Sequence, residues 1–331
     1  MKRFFVLCIA VSIVVGYGCQ QEFHPNGEYD ERLVVYSILR MDTDTQFVRV
    51  YSTYNPNDNN PITHTVDTEV IDAIVTISDG SVTYQFHDTL VARTDTATPY
   101  GKNVHVYVAY QFRPSARKQY TLTVQSPSKG SLTATAEVFV PGSISFQGDV
   151  YKMLSSPKEQ TQDTAIVLTL RLGANAPAYL ARFMVRYRQL IGTAWVTKTI
   201  EVPYFVKQGT SWNDYSALYP QIVPRGYNAT GVVEGEETVS FSKEAYVTTL
   251  RYLRYSIGQS RLEYSGAYFI LNQVDQAVYS YYALANQASD RISIRLDQID
   301  YSNIEGGYGL FGVITHSESP FIVLPSDIEL P

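Results

Sequence analysis

The tightest constraint in this 331-residue chain is a period-two alternation on either side of an Asp-Gly pair. In IDAIVTISDGSVTYQF (71–86), Ala73, Val75 and Ile77 lead into Asp79-Gly80, and Val82, Tyr84 and Phe86 lead out. Successive side chains of a strand point to opposite faces, so each arm of this hairpin carries one apolar row. Asp-Gly supplies the positive φ values of a type I′ turn. Such a row must be buried against a second layer. The same texture recurs in RLVVYSIL (32–39), NVHVYVAYQF (103–112), QYTLTVQ (119–125) and SLTATAEVFV (131–140), which ends at Pro141-Gly142. QFVRVYSTY (46–54) sets Phe47, Arg49 and Tyr51 on one side and Val48 and Val50 on the other. No helical period interrupts residues 30–140. An Ig-like or prealbumin-like β-sandwich of roughly seven strands is predicted over 32–141.

Residues 142–331 are predicted to form a second β-rich domain, which makes the chain all-β with one or few helices. TAIVLTLRL (164–172), AYLARFMVRYRQL (178–190), AWVTKTIEVPYFV (194–206), EAYVTTLRYLRYSI (244–257) and RLEYSGAYFILNQV (261–274) read as strands. The polar stretch 207–244 reads as a long loop. One helix is predicted over 275–288. Asp275 can accept a free N–H of its first turn. Val278, Tyr281, Tyr282 and Ala285 fall on one stripe, and Val274 and Tyr279 occupy staple positions. That stripe fits packing on a sheet better than lining a ligand. DRISIRLDQI (290–299) and LFGVITH (310–316) are the last strand signals.

The N-terminus has its own logic. Lys2 and Arg3 precede an apolar block, Phe4 to Val15, broken by one clearly polar residue, Ser12. A spanning helix needs about 20 residues, so this block reads as a secretory signal peptide over 1–18. Gly16 and Gly18 lead to Cys19 and resemble a bacterial lipobox, with Gly16 where an aliphatic residue is usual. In that arrangement the Cys19 thiol carries a diacylglyceryl group and becomes the mature N-terminus, followed by a tether to residue 31. The other reading is a secreted protein with a free Cys19. The only other cysteine, Cys8, lies in the leader, so the mature chain has no internal disulfide. The expected location is the outer membrane, by lipid anchor, with the periplasmic or surface face open. Without Lys2 and Arg3 the 26 Lys and Arg fall to 24, against 32 Asp and Glu, which argues against a nucleic-acid partner.

Candidate chemistry is sparse. Tyrosine is abundant, at 27 residues, and suits either half-buried strand surfaces or a ligand-facing surface. Arg182, Arg186 and Arg188 alternate with Phe183, Val185 and Tyr187, and Arg251, Tyr252, Arg254 and Arg261 add nearby charge and a ring. This is a solubilising face or a surface for an anionic partner, since guanidinium pairs with carboxylate or phosphate. NPNDNNP (55–61) offers oxygens from Asn55, Asn57, Asp58 and Asn59. A calcium loop would need Gly and Glu where Asn60 and Val66 stand, so a solvated turn is expected. His24, His64, His87, His105 and His316 show no metal-ligand spacing. Glu234, Glu236 and Glu237 could supply paired carboxylates for glycoside cleavage, but a solvated cluster fits their polar context better. GYGLFG (307–312) matches G-x-G-x-x-G through Gly307, Gly309 and Gly312. Too little chain follows for a dinucleotide fold, so a Gly-rich turn is expected. No catalytic residue, metal or cofactor is assigned.

YFILNQVDQAVYSYYALANQ (268–287) followed by YSNIEGGYGLFGVITH (301–316) resembles the C-terminal end of Bacteroidetes-type outer-membrane lipoproteins of domain-of-unknown-function family 4249. That family shows a Tyr-rich Y-x-Y-Y helix and then N-I-x-G-G-x-G-x-F-G. Here the element is Asn303, Ile304, Gly306, Gly307, Gly309, Phe311 and Gly312. LVV (33–35), VTISDG (75–80) and the run from YTLTV to TATAEVFVP (120–141) are similar as well. The resemblance implies a two-part, β-rich, lipid-anchored envelope protein accompanying a TonB-dependent transporter, and it supplies no catalytic residues. The expected function is a non-catalytic accessory or binding lipoprotein. Its partners would be the membrane, through the lipid, and a transporter or other envelope protein. Glycan binding by Tyr-rich strands and hydrolysis by Glu234, Glu236 or Glu237 are the competing readings.

Overall fold

The computed structural model describes residues 29–54, 68–93, 102–147, 165–207, 215–225, 235–287 and 301–321. The leader, Cys19, the 55–61 loop and the strand expected over 290–299 lie outside the described residues.

The alternating region forms seven strands: β1 (Leu33–Arg40), β2 (Gln46–Ser52), β3 (Ile74–Ser78), β4 (Thr83–Ala92), β5 (Asn103–Ala109), β6 (Gln119–Ser126) and β7 (Leu132–Phe139). Strand β4 joins two layers. Its first residues, Thr83 to Phe86, pair with β3, and His87 to Ala92 pair with β5. One layer contains β1, β2 and β5, and the other β3, β6 and β7. The inward rows Val35, Val50, Val75, Ile77, Leu122, Val124, Ala136 and Val138 meet in one core. Tyr84 stacks on Phe112 there, with ring centroids 3.9 Å apart. The hairpin turn differs from expectation by one residue. Ser78 pairs with Thr83, and Asp79 N–H bonds the Val82 carbonyl at 3.1 Å, so Gly80-Ser81 form the centre. Of these two only Gly80 has positive φ (85°), the type II′ pattern. Asp79 is held outside the centre because its carboxylate accepts from Ser81 N and Val82 N and pairs with Lys118.

The rest of the chain supplies β8 (Ser145–Gln147), β9 (Ala165–Leu172), β10 (Ala178–Ile191), β11 (Ala194–Val202), β12 (Tyr204–Lys207), β13 (Tyr215–Leu218), β14 (Val223–Pro224) and β15 (Gly235–Ser242). Helix α1 (Lys243–Ile257), β16 (Leu262–Val274), helix α2 (Gln276–Gln287) and β17 (Gly307–Glu318) follow. A sheet of β11, β10 and β16 faces a small sheet of β15, β9 and β8, with α1 completing a second core. Phe183 sits at its centre, stacked on Phe269 at 4.6 Å and flanked by Phe241 and Tyr246.

Three expectations are corrected. Residues 244–257 are helix, not strand. Ser242 Oγ accepts from Ala245 N at 3.2 Å, and Tyr246, Leu250 and Leu253 fall on the buried side at helical spacing. The supposed loop 207–244 contains β13, β14 and β15, and β15 buries Phe241 against β9. The region 32–141 is not self-contained. Strand β17 pairs parallel with β1, from Leu33 with Gly307 to Arg40 with Ile314, and antiparallel with β16. Phe311 and Val313 thereby join the first core. Glu305 exchanges two backbone hydrogen bonds with Thr135, at 2.9 and 2.7 Å, and links β7 to the start of β17. Burying the apolar inner rows at the edges of β1 and β7 is what recruits this distant segment. Helix α2 forms as expected, and Val274, Val278 and Tyr279 cluster together. Its buried positions include Ala277 and Val278, whereas Tyr281 of the expected stripe is exposed.

Candidate junction cleft

The residues of GYGLFG are not a turn; they form the first half of β17. Gly309 adopts φ 120°, and a Cβ there would lie 2.0 Å from the Val35 carbonyl oxygen, so only glycine lets β17 lie this close to β1. A Cβ on Gly307 would meet the Leu33 carbonyl oxygen at 2.5 Å, and one on Gly306 the Thr133 carbonyl oxygen at 2.5 Å. Gly312 serves a different contact. A Cβ there would lie 2.4 Å from a Val278 methyl, so this glycine admits the first turn of α2 onto the strand. Asn303 locks the element by exchanging two hydrogen bonds with the Phe311 backbone, donating to its carbonyl at 2.7 Å and accepting from its N–H at 2.9 Å.

Where α2 meets β17, Asp275 is buried. Its Oδ1 accepts from Val278 N (3.2 Å) and Val313 N (3.1 Å), and its Oδ2 accepts from Ala277 N (3.3 Å). It caps the helix and ties it to the strand at once. Burial pushes its carboxyl up to about 6, against the opposite pull of these N–H groups. Beside it opens a cleft of about 520 Å³ between the two units, lined by Glu137, Phe139, Asn175, Gln276, Tyr301 and Asn303 among others. Burial, and then the Asp275 charge, hold the Tyr301 hydroxyl above its ordinary pKa. A carboxylate committed to three N–H groups is a structural joint, and its hydrogen-bonding geometry does not suit proton transfer to a ligand. Near this joint Gln273, fully buried, donates to the Gly142 carbonyl (2.8 Å) and accepts from Gly173 N (2.7 Å). Sequence reasoning assigned Asp275 only a capping role and gave none to Gln273, Asn175 or Tyr301. A polar residue inside the run FILNQV was the available signal for Gln273.

The expected basic surface does not assemble as one site. Arg182 pairs with Glu201 at 2.5 Å and Arg188 with Glu263 at 2.9 Å, across neighbouring strands. Arg186 lies over the rings of Tyr268 (5.1 Å) and Phe321 (4.3 Å). Tyr252 and Arg254 belong to α1, which packs with Phe183 and Val185 on the other face of β10. Of the hydrolase candidates, Glu237 pairs with Arg225 at 3.4 Å on β15, and Glu234 lies outside the described residues. His105 pairs with Asp88 and His316 bonds Asn272, and no metal-binding cluster occurs among the described residues.

Tyrosines divide between cores and surfaces. Tyr107, Tyr120 and Tyr246 are buried. On the outer face of the β17, β1 and β2 layer, Tyr308 is beside Val34, which is beside Tyr51, and the next row runs Leu310, Tyr36, Arg49. Tyr36 is 41% exposed, Tyr308 45% and Phe47 49%. Arg49 lies over the Tyr51 ring and Arg32 over the Tyr308 ring. This aromatic and guanidinium surface starts where the chain enters β1.

The sequence profile described as a domain of unknown function (DUF4249) matches residues 20–319. No curated protein matches. Among solved structures, the C-terminal globular domain of oligosaccharyltransferase from Pyrococcus abyssi is similar at 10% identity and a TM-score of 0.23. That match covers 73% of this chain and 48% of the other, so this chain spans about half of it.

Proposed function

The chain belongs to the DUF4249 family, and from that premise we propose a lipid-anchored envelope protein that works by binding, as an accessory to a TonB-dependent outer-membrane transporter. The observation that carries this reading is the outer face of β17, β1 and β2. Tyr, Phe and Arg are the residues that dominate protein interfaces, and here they share a face that begins where the predicted tether ends. The described carboxylates nearest to candidate chemistry are engaged within the fold: Asp275 by backbone N–H groups, Glu201 by Arg182, Glu237 by Arg225 and Glu263 by Arg188. Cys19 supplies the anchor in this proposal, and diacylation makes release negligible because each buried CH₂ contributes about 0.8 kcal/mol.

Two measurements test it. Mass spectrometry of the mature N-terminus should find Cys19 acylated; a free thiol or a retained leader removes the anchor from the proposal. Affinity purification of the tagged full chain from cross-linked envelopes should recover a transporter, and the double variant Tyr36→Ala, Phe47→Ala should lose it. Recovery unchanged by that variant would refute the role given to this face. A second reading, glycan binding, draws on the same exposed rings, because planar aromatics stack on sugar faces. Retention of glycans on an array by the full chain, abolished by Tyr308→Ala, would favour it over a protein partner.

A further inference from the structure

Strand β11 closes one end of the large sheet, and among the described residues no strand lies on its outer edge. The opposite end is different, because β7 turns back onto Glu305 through two backbone bonds. Natural proteins blunt exposed edges with proline, bulges, short strands or projecting charges. Strand β11 uses none of these. It pairs regularly with β10 over nine residues, AWVTKTIEV, without proline or bulge. Its two charges are folded back across the sheet, Lys198 onto Gln189 and Glu201 onto Arg182.

The register shows which backbone groups are open. Ile191 pairs with Ala194 across the two-residue turn Gly192-Thr193, so these two exchange both ladder bonds. Hydrogen-bonded and non-bonded pairs then alternate. Val196, Lys198, Ile200 and Val202 direct N–H and C=O toward β10, and Trp195, Thr197, Thr199 and Glu201 direct theirs outward. Of this outward row Thr197 and Thr199 are exposed, and no described residue pairs with it.

We propose that the β11 edge is a strand-addition site that takes an extended, alternating apolar segment of a partner protein, antiparallel to residues 195–201. This deepens the reading of the chain as an accessory binding protein and rests on it. Backbone bonding would give the affinity, and side chains facing Val196 and Ile200 would give selectivity. A foreign segment suits the edge better than a second copy of this chain. Two-fold pairing centred on Lys198 sets that ammonium against its own copy. Pairing centred on Thr199 places Pro203, which has no N–H, opposite Trp195. Pairing centred on Thr197 uses up the turn residue Thr193. A foreign strand meets none of these conflicts.

The test uses the full chain carrying a photo-cross-linking side chain at Thr199, in intact envelopes. A cross-linked adduct with another protein is expected, together with amide exchange at residues 195, 197, 199 and 201 about tenfold slower in envelopes than in detergent-purified chain, the factor for about 1.4 kcal/mol of added bonding. Thr197→Pro removes one outward N–H, and an edge strand tolerates proline there, so this variant should keep the denaturation midpoint and lose the adduct. Thr197→Val should keep both. An adduct with the mass of two copies of this chain, or no slowing of exchange, overturns the proposal. Should Thr197→Pro still recover a transporter at full yield, the edge site fails while the accessory role stands.

Discussion

Substituting Gly309 by alanine tests the close approach of β17 to β1. The added Cβ would sit 2.0 Å from the Val35 carbonyl oxygen, and contacts under 3.0 Å are essentially never observed, so the strands must separate by about 1 Å. The obstacle is backbone, which cannot rotate away as a side chain can. Two costs combine. Holding a non-glycine residue at φ 120° costs about 1–3 kcal/mol. Stretching the two or so nearest ladder bonds adds roughly 1 kcal/mol each. The sum is about 3–5 kcal/mol, which at a slope of ~3 kcal/mol/M lowers the urea midpoint by roughly 1 M or more. Two comparison variants separate the costs. Gly192 has φ 62° with nothing within 4 Å of its ideal Cβ, so Gly192→Ala measures backbone conformation alone, about 1 kcal/mol. At Gly312 φ is not left-handed and the obstacle is a Val278 methyl, so Gly312→Ala measures a contact that repacking relieves, about 1–3 kcal/mol. Circular dichroism of the full chains in urea gives the ranking. A Gly309→Ala midpoint equal to that of Gly192→Ala would refute the claim that the Val35 carbonyl excludes a side chain.

Asp275 gives a pH signature. Its carboxyl is raised from the ordinary 3.8 to about 6 in the folded chain, so between these values the folded state holds a proton that the unfolded state has lost. Its favourable contribution is therefore complete below pH ~4 and fades as pH rises through 6, by roughly 3 kcal/mol in all. The stability of the native chain relative to Asp275→Asn should fall from pH 4 to pH 7.5, and a pH-independent difference would contradict this. Ser242→Ala should lower stability by about 1 kcal/mol through loss of the α1 cap, measured by urea denaturation. Arg188→Gln should cost less than about 1 kcal/mol, because its pair with Glu263 is about half solvent-exposed, and partner recovery should be unchanged.

Period-two alternation is legible because it reports which face is buried, and the strands β1 to β7 follow from it. The hairpin centre was displaced by one residue because Asp79 is more useful bonding Ser81 and Val82 from outside the turn. Helix α1 was hidden by its composition. Tyr, Thr and Val favour strands, and the spacing of Tyr246, Leu250 and Leu253 becomes decisive only once Phe183 and Phe269 give them a surface to cover. The glycines of β17 announce freedom of backbone but not what lies against them, so the motif was visible and its use was not. Local pattern likewise cannot reveal Glu201 and Glu263, which neutralise Arg182 and Arg188 from adjacent strands. Gln273 and the second bond set of Asp275 depend on Gly142, Gly173 and Val313, which only the tertiary fold brings near.

The parallel pairing of Leu33–Arg40 with Gly307–Ile314 also dictates an order of events. Ribosomes release the amino end first, so β1 emerges long before its neighbour has been synthesised. Throughout that interval one flank of the strand has no lateral mate, and the cavity later filled by Phe311 and Val313 stands open. Entropy penalises joining points so far apart along the polymer, which makes this late docking slow. A stop codon anywhere before residue 301 leaves the earliest sheet unfinished.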